Sequence, residues 1–300
     1  MGTIPLSGVN GRFDHFSIDT TDKRLFVAAL GNDTVEVIDL EAGKRIQSIT
    51  RTSKPQGVLF ASKRTAILVA NGGDGSCKIL DGSDYKLLHN IPGLPDADNL
   101  RLHPRTGMVW LGYGDGALSE IAITGHKVLT TIKLPAHPES FQLESSGNRI
   151  FINVPEAKQI AVVDSKTRKL IDKWPMENFQ GNFPMALDES NHRLFVGCRK
   201  PSRLVVLDTE SGKPVADVAL SGDTDDLFYD AKRKRVYASC GEGFLDVISQ
   251  ELPNSYKPEA KIPTSPGART CFFSGDLDRL YLAVPEHESQ KPEIRVFEPQ

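Results

Sequence analysis

Seven positions at nearly constant spacing carry side chains suited to binding or acid–base work: Asp14, Gln56, Asp98, Glu139, Phe183, Asp225 and Arg269. Successive members stand 42, 42, 41, 44, 42 and 44 residues apart, each just before an expected strand. Arg12, His15, Asn99, Arg101, His137, Asn182, Asp223 and Asp226 lie beside them. Carboxylates gathered at one opening raise one another's pKa unless a cation or arginine answers their charge. Such a mixture suits a small polar ligand, a divalent metal ion, or acid–base chemistry. Pairing of the acids with Arg12, Arg101 and Arg269 would instead make a structural ion network.

Individual motifs narrow the chemistry only in part. His137-Pro138-Glu139 sets an imidazole and a carboxylate two residues apart, facing alike on an extended loop, as a general-base pair would need. Asp223-Thr224-Asp225-Asp226 has the oxygen density that hard cations prefer, without an EF-hand pattern. Capping of a turn and a strand start accounts for the same residues. His15 and His137 fall in the first and fourth repeats, so a shared metal would require the loops to bend. The runs Gly72-Gly73-Asp74-Gly75 and Gly112-Tyr113-Gly114-Asp115-Gly116 open no helix and so form no phosphate loop. Cys198 is followed by Arg199 and Lys200, cations that would lower the pKa of an exposed thiol. There is no G-x-S-x-G and no H-E-x-x-H, and two tryptophans, Trp110 and Trp174, are few for a stacked-quinone site.

The elements that must position these residues repeat with the same period. The tripeptides Leu25-Phe26-Val27, Ile67-Leu68-Val69, Val109-Trp110-Leu111, Ile150-Phe151-Ile152, Leu194-Phe195-Val196, Val236-Tyr237-Ala238 and Leu280-Tyr281-Leu282 mark seven copies. Each copy reads as an alternating strand, a polar turn, the apolar tripeptide, a Gly/Asn-rich loop, a β-branched strand such as Val35-Glu36-Val37-Ile38, and a fourth strand. Four strands in about 42 residues is the signature of a propeller blade. No stretch of 12 or more residues carries a helical period. The expected fold is therefore all-β: a single seven-bladed β-propeller domain over residues 1–300, with four-stranded antiparallel blades. The last repeat stops at its third strand, Ile294-Arg295-Val296-Phe297, while Thr3-Ile4-Pro5-Leu6 precedes the first. The N-terminal segment is expected to complete blade seven and cover its open edge.

In a propeller the loops from the fourth strand to the next first strand share one face with the loops between second and third strands. The in-phase residues then converge on one mouth of the central channel. The turns on the other face, such as 188–192, 210–213 and 231–234, read as ordinary solvated turns.

Composition sets wider bounds. The 300 residues are 39% hydrophobic and 25% charged, with 36 basic against 39 acidic residues. That balance supplies no global field for nucleic acid, although Arg199, Lys200 and Arg203 make a local basic patch. No apolar run is long enough to cross a bilayer as a helix, and the opening Met-Gly-Thr-Ile-Pro-Leu lacks the features of a signal peptide. Cys77, Cys198, Cys240 and Cys271 show no C-x-x-C spacing and read mainly as buried thiols.

The stretch from Phe26 to Lys44, with Val-Ala-Ala-Leu-Gly-Asn-Asp-Thr-Val-Glu-Val-Ile-Asp at its centre, resembles the repeat of YncE-like, YVTN-type propellers. Leu68-Val69-Ala70-Asn71-Gly72-Gly73-Asp74-Gly75 repeats the likeness less completely. The resemblance implies the propeller fold and, because many such proteins are exported, a periplasmic or secreted location. It spans lactonase-like enzymes, quinoprotein dehydrogenase subunits and exported binding proteins, so it assigns no activity. Three readings follow. The first is a binding propeller holding a small polar ligand or metal ion at Arg12, Asp14, His15, Gln56, Asp98, Asn99, Arg101, Asn182, Asp223, Asp225 and Asp226. The second is a lactonase-like hydrolase in which His137 or Glu139 activates water and Arg269 or Arg101 steadies the oxyanion. The third is a scaffold for a protein partner on the glycine-rich loops.

Overall fold

A computed structural model describes residues 2–300. Seven four-stranded antiparallel sheets make a seven-bladed β-propeller. Blade one runs Phe16–Asp19, Arg24–Ala29, Thr34–Asp39 and Lys44–Ile49, each strand paired with the next. Blades two to six repeat the order. Blade seven combines Cys271–Ser274, Arg279–Val284 and Glu293–Phe297 with the N-terminal strand Gly2–Pro5. Gly2 pairs with Val296 and Pro5 with Glu293, as the unfinished last repeat requires. Pro5, which cannot donate to a ladder, sits where an outermost strand tolerates it.

By internal contact the chain forms two compact units, one of residues up to Lys133 with Ser274–Gln300, the other Leu134–Phe273. Both cores grow from the tripeptides. In every second strand these residues are at most 4% exposed, which is why they read as unbroken apolar runs instead of alternating ones. In the first unit Phe26, Ile67 and Val69 pack in one cluster, and Leu68, Val109 and Leu111 in another. In the second, Phe151, Leu194 and Val196 pack against Trp174, while Phe195, Val236 and Ala238 pack with Leu204. Each fully buried Leu or Phe contributes about 1.5–3 kcal/mol.

Two turns expected to be merely solvated, 188–192 and 210–213, join blades instead, through Glu189 and Glu210, and arginines that open second strands do the same. Arg24, 9% exposed, donates from Nε and Nη2 to Asp19 Oδ2 (3.2 and 2.7 Å) and from Nη1 to the Gly82 carbonyl of the next blade (2.7 Å). Arg149 repeats this with Glu144 Oε1 (2.9 Å) and the Thr209 carbonyl (2.5 Å), and also holds Glu210. Arg193 reaches the Pro253 carbonyl and Asn254. Glu189 accepts from the backbone N–H of Ser145 and Ser146. A guanidinium opening the second strand is long enough to reach the neighbouring blade's third-to-fourth turn. These charges therefore carry blade-to-blade bonds, not only hydration.

Candidate functional site

The in-phase residues owe their phase to a β-bulge repeated from blade to blade. Asp14 N–H donates to the Ala28 carbonyl (2.8 Å), and Ala28 N–H donates to the His15 carbonyl (3.0 Å), so two residues oppose one. Asp98 and Asn99 oppose Gly112 in the same way, and Glu139 and Ser140 oppose Asn153. In blades two, five and six the ladder resumes beyond the irregularity. The register jumps between Pro55 and Val58, Asn182 and Met185, and Thr224 and Asp226. Gln56 with Gly57, Phe183 with Pro184, and Asp225 are the residues passed over. A bulge turns its first residue out of the pleat and bends the strand, giving each of these six blades one re-aimed side chain.

This corrects the expected positions. Gln56, Phe183, Asp225, Asn182 and Asp226 lie inside first strands, within Pro55–Ala61, Gln180–Asp188 and Thr224–Asp230. The extra residue breaks the apolar alternation, so sequence periodicity places the strand start too late. Arg269 does lie before its strand, Cys271–Ser274.

Within the first unit the bulges gather Arg12, Asp14, His15 and Asp98. Arg12 Nη2 donates to Asp14 Oδ2 at 2.8 Å. His15 Nε2 stands 3.6 Å from Asp14 Oδ1 and 3.8 Å from Asp98 Oδ1. The side chains of Asp14, Asp98 and His15 are 5%, 9% and 14% exposed. Gly57 makes the approach feasible: its φ is not positive, but a Cβ there would collide with the Asp98 carbonyl oxygen. The His15 N–H meanwhile donates to the Gln56 carbonyl (3.1 Å). Gln56 Nε2 donates to Asp96 Oδ1 (2.9 Å) and the Ala97 carbonyl (3.2 Å). Asn99 is 1% exposed, and its side-chain amide has no hydrogen-bond partner among the described residues. Arg101 is half-buried and donates to the Leu100 carbonyl (2.9 Å).

The second unit holds a different group. Arg199 Nη2 donates to Asp225 Oδ1 (2.5 Å) and lies 3.4 Å from Asp223 Oδ1. Arg269 Nη1 donates to both Asp223 oxygens (3.1 and 3.0 Å), and its Nε is 3.2 Å from Asp225 Oδ2. Two guanidiniums and two carboxylates thus alternate, and Arg199 also lies over the Phe183 ring, 3.9 Å from its centroid. Asp226 accepts from the Cys271 N–H (2.9 Å). Asn182 donates to Asn153 Oδ1 (2.9 Å), while Asn153 donates to the Phe183 carbonyl (2.8 Å). His137 and Glu139 are both half-buried on the segment leading into Phe141–Leu143.

Sequence reasoning missed Arg199 as a member of this group, because it comes from a second strand and is out of phase with the bulges. Asp96 was missed for a similar reason: it belongs to the loop before the bulge. Arg199 is held by carboxylates and Arg203 by Asp217, so the basic triad carries two neutralised arginines. The glycine runs serve close backbone approach. Gly73 N–H donates to the Ser53 carbonyl (3.1 Å), and Gly114 N–H to the Pro95 carbonyl (2.7 Å).

All four cysteines are free and buried. Burial pushes the Cys198 thiol up to about 12 despite its cationic neighbours, which removes it as a reactive group. Among the described residues no group of three or more His, Cys, Asp or Glu side chains is arranged to hold a metal ion. Nor is any helix among them long and apolar enough to cross a membrane.

No protein-family model matches the chain. It is 21% identical over 255 residues to a Salmonella typhimurium protein called uncharacterized protein YncE, covering 85% of this chain and 60% of that one. The same-named protein of Salmonella typhi is 22% identical over 256 residues with equal coverage. The chain thus spans about 60% of the length of the curated relatives it matches. Among solved structures, Kuenenia stuttgartiensis hydrazine synthase superposes with a TM-score of 0.85 at 13% identity, over 99% of both chains. A chain of a mitotic checkpoint complex gives 0.80 at 14% identity, over 99% of this chain and 92% of its own. At such identities these structures support the propeller fold alone. In sequence pattern the chain is similar to these YncE proteins, and its architecture is a seven-bladed propeller.

Proposed function

We propose that this protein is a binding propeller and that a small polar molecule rich in hydrogen-bond donors, such as an amine or a polyol, docks at the bulges of its first three blades. The observation that carries the reading is the placement of His15 Nε2, 3.6 and 3.8 Å from the carboxylates of Asp14 and Asp98. The imidazole stands beyond hydrogen-bond distance of both carboxylate oxygens, and the three side chains are 5%, 9% and 14% exposed. A donor group inserted there would add to the bonds these carboxylates already make, such as that of Asp14 with Arg12, and charge-assisted bonds are the strong ones. The unpartnered Asn99 amide beside Asp98 adds a donor and an acceptor that cost about 1–3 kcal/mol while unmet.

Calorimetric titration of a panel of small amines, polyols and sugar acids tests this reading. A ligand of the proposed site loses about 10- to 100-fold in affinity on Asp98→Asn, the loss of one charge-assisted bond. Binding by the panel that is indifferent to both Asp98→Asn and His15→Gln would move the site elsewhere.

A further inference from the structure

A cleft of about 340 Å³ opens between blades one and two of the first unit. One wall is the end of blade one's fourth strand, Lys44–Ile49, with residues 50–52 beyond it. The other wall is blade two: Lys78 and Leu80 of its third strand, Ser76–Asp81, and the turn that carries Tyr85 toward the fourth strand, Leu87–Pro92. The floor is core. Ile49 and Leu80, 5% and 4% exposed, belong to the cluster of Phe26 and Ile67, and Tyr85 packs against it. Arg24 fixes Tyr85 there, donating from Nη1 to its hydroxyl oxygen at 3.1 Å. Leu87 lines the same cleft at 56% exposure, an apolar side chain left largely to water. The charge of the lining is one-sided, with Arg51, Lys78 and Lys86 against one carboxylate, Asp84. Lys86 Nζ pairs with Asp84 Oδ2 (2.6 Å), and Lys78 Nζ with Asp74 Oδ2 (3.0 Å) and the Arg51 carbonyl (2.5 Å). The last bond secures Arg51 at a left-handed φ of 66°. Among the described residues no hydrogen bond or ion pair engages the Arg51 guanidinium or the neighbouring Thr50 hydroxyl.

We propose that this cleft binds a hydrophobic carboxylate, an organic acid with a compact aryl or branched alkyl body. The carboxylate answers Arg51, and the body lies against Tyr85, Leu80 and Leu87. A guanidinium presents a planar fork of donors that matches a carboxylate in two parallel bonds. Covering Leu87 removes apolar surface from water, which favours a ligand with an apolar body. A neutral ligand would leave the guanidinium unanswered, and an inorganic anion would leave Leu87 bare. An anion joined to an apolar body meets both. The volume stands at the small end of the roughly 300–1,000 Å³ of ligand pockets, so the body is compact. The lining shares no residue with the bulge group of Asp14, His15 and Asp98, and the inference does not depend on that reading.

Calorimetric titration of the full chain with naphthoate, phenylbutyrate and isocaproate, each beside its uncharged amide, tests the proposal against Arg51→Gln and Leu87→Ser variants. Both substitutions lie at exposed side chains, and coincident melts of the proteins check the fold. The wild type binds at least one of the three acids at a single site with a Kd below about 1 mM. Its amide binds at least about tenfold more weakly, and Arg51→Gln weakens the acid by at least about tenfold, as loss of a charge-assisted pair demands. Leu87→Ser weakens it by at least about threefold through lost apolar contact. Asp98→Asn leaves the affinity unchanged, which separates this cleft from the bulge group. Absence of binding by all three acids at about 10 mM, equal binding of acid and amide, affinity that survives either cleft substitution, or affinity that falls with Asp98→Asn would each overturn it.

Discussion

Replacing Arg24 by methionine tests whether the turn arginines carry blade-to-blade cohesion. The guanidinium makes two bonds to Asp19, one to the Gly82 carbonyl and one to the Tyr85 hydroxyl (3.1 Å). It also lies 5.6 Å from the ring centroids of Phe26 and Phe60. Methionine keeps much of the packing and removes the charge. Asp19, 3% exposed, then retains the N–H groups of Thr21 and Asp22 but no counter-ion. Breaking a buried pair on one side costs about 3–5 kcal/mol. At about 2 °C per kcal/mol for a chain of this size, the midpoint of thermal unfolding falls by about 6–10 °C. The double variant Asp19→Asn/Arg24→Met removes the stranded charge and recovers at least about 1 kcal/mol relative to the sum of the single changes. Calorimetry or circular dichroism melts of the four proteins close the cycle. A single-variant loss of less than about 1 kcal/mol, or additivity in the double, refutes the idea that the buried pair acts as a unit.

Three further outcomes are expected. Gly57→Ala forces a Cβ against the Asp98 carbonyl, so it lowers the melting midpoint and weakens any ligand of the first-unit bulges, read by melts and titration together. Deleting residues 1–8 removes the Gly2–Pro5 strand and bares the Glu293–Phe297 edge; light scattering then shows association at concentrations where the full chain stays monodisperse. Burial pushes the Glu189 carboxyl up, but the Ser146 hydroxyl and N–H and the Ser145 N–H pull harder and leave it below the usual carboxylate range. Its contribution is therefore present above the unfolded-state pKa and is lost as pH falls through the folded one. The stability gap between wild type and Glu189→Gln is widest above about pH 5 and narrows as the pH falls below the usual carboxylate range and through the lowered folded-state pKa.

The fold was legible because each blade must bury its second strand on both faces, which leaves seven apolar tripeptides in phase, from Leu25-Phe26-Val27 to Leu280-Tyr281-Leu282. Blade closure was legible from a missing strand at one end and a spare one at the other. The in-phase polar positions were visible too, but the cause of their phase was not: a bulge leaves only a broken alternation, so Gln56 and Asp225 read as residues before a strand. The blade-to-blade bonds of Arg24, Arg149 and Arg193 were not legible because their acceptors, Gly82, Thr209 and Pro253, lie 58–60 residues away. No local pattern reports such a distance. Arg199 was hidden likewise, since its partners Asp223 and Asp225 belong to the next blade.

The measurement that bears most directly on the proposed function is an electron-density map of the first three blades with a titration-confirmed ligand bound. The account predicts ligand density within hydrogen-bonding reach of Asp98 and His15, beside the Asn99 amide. A ligand seated elsewhere, with His15 still 3.6 and 3.8 Å from the two carboxylates, would contradict it.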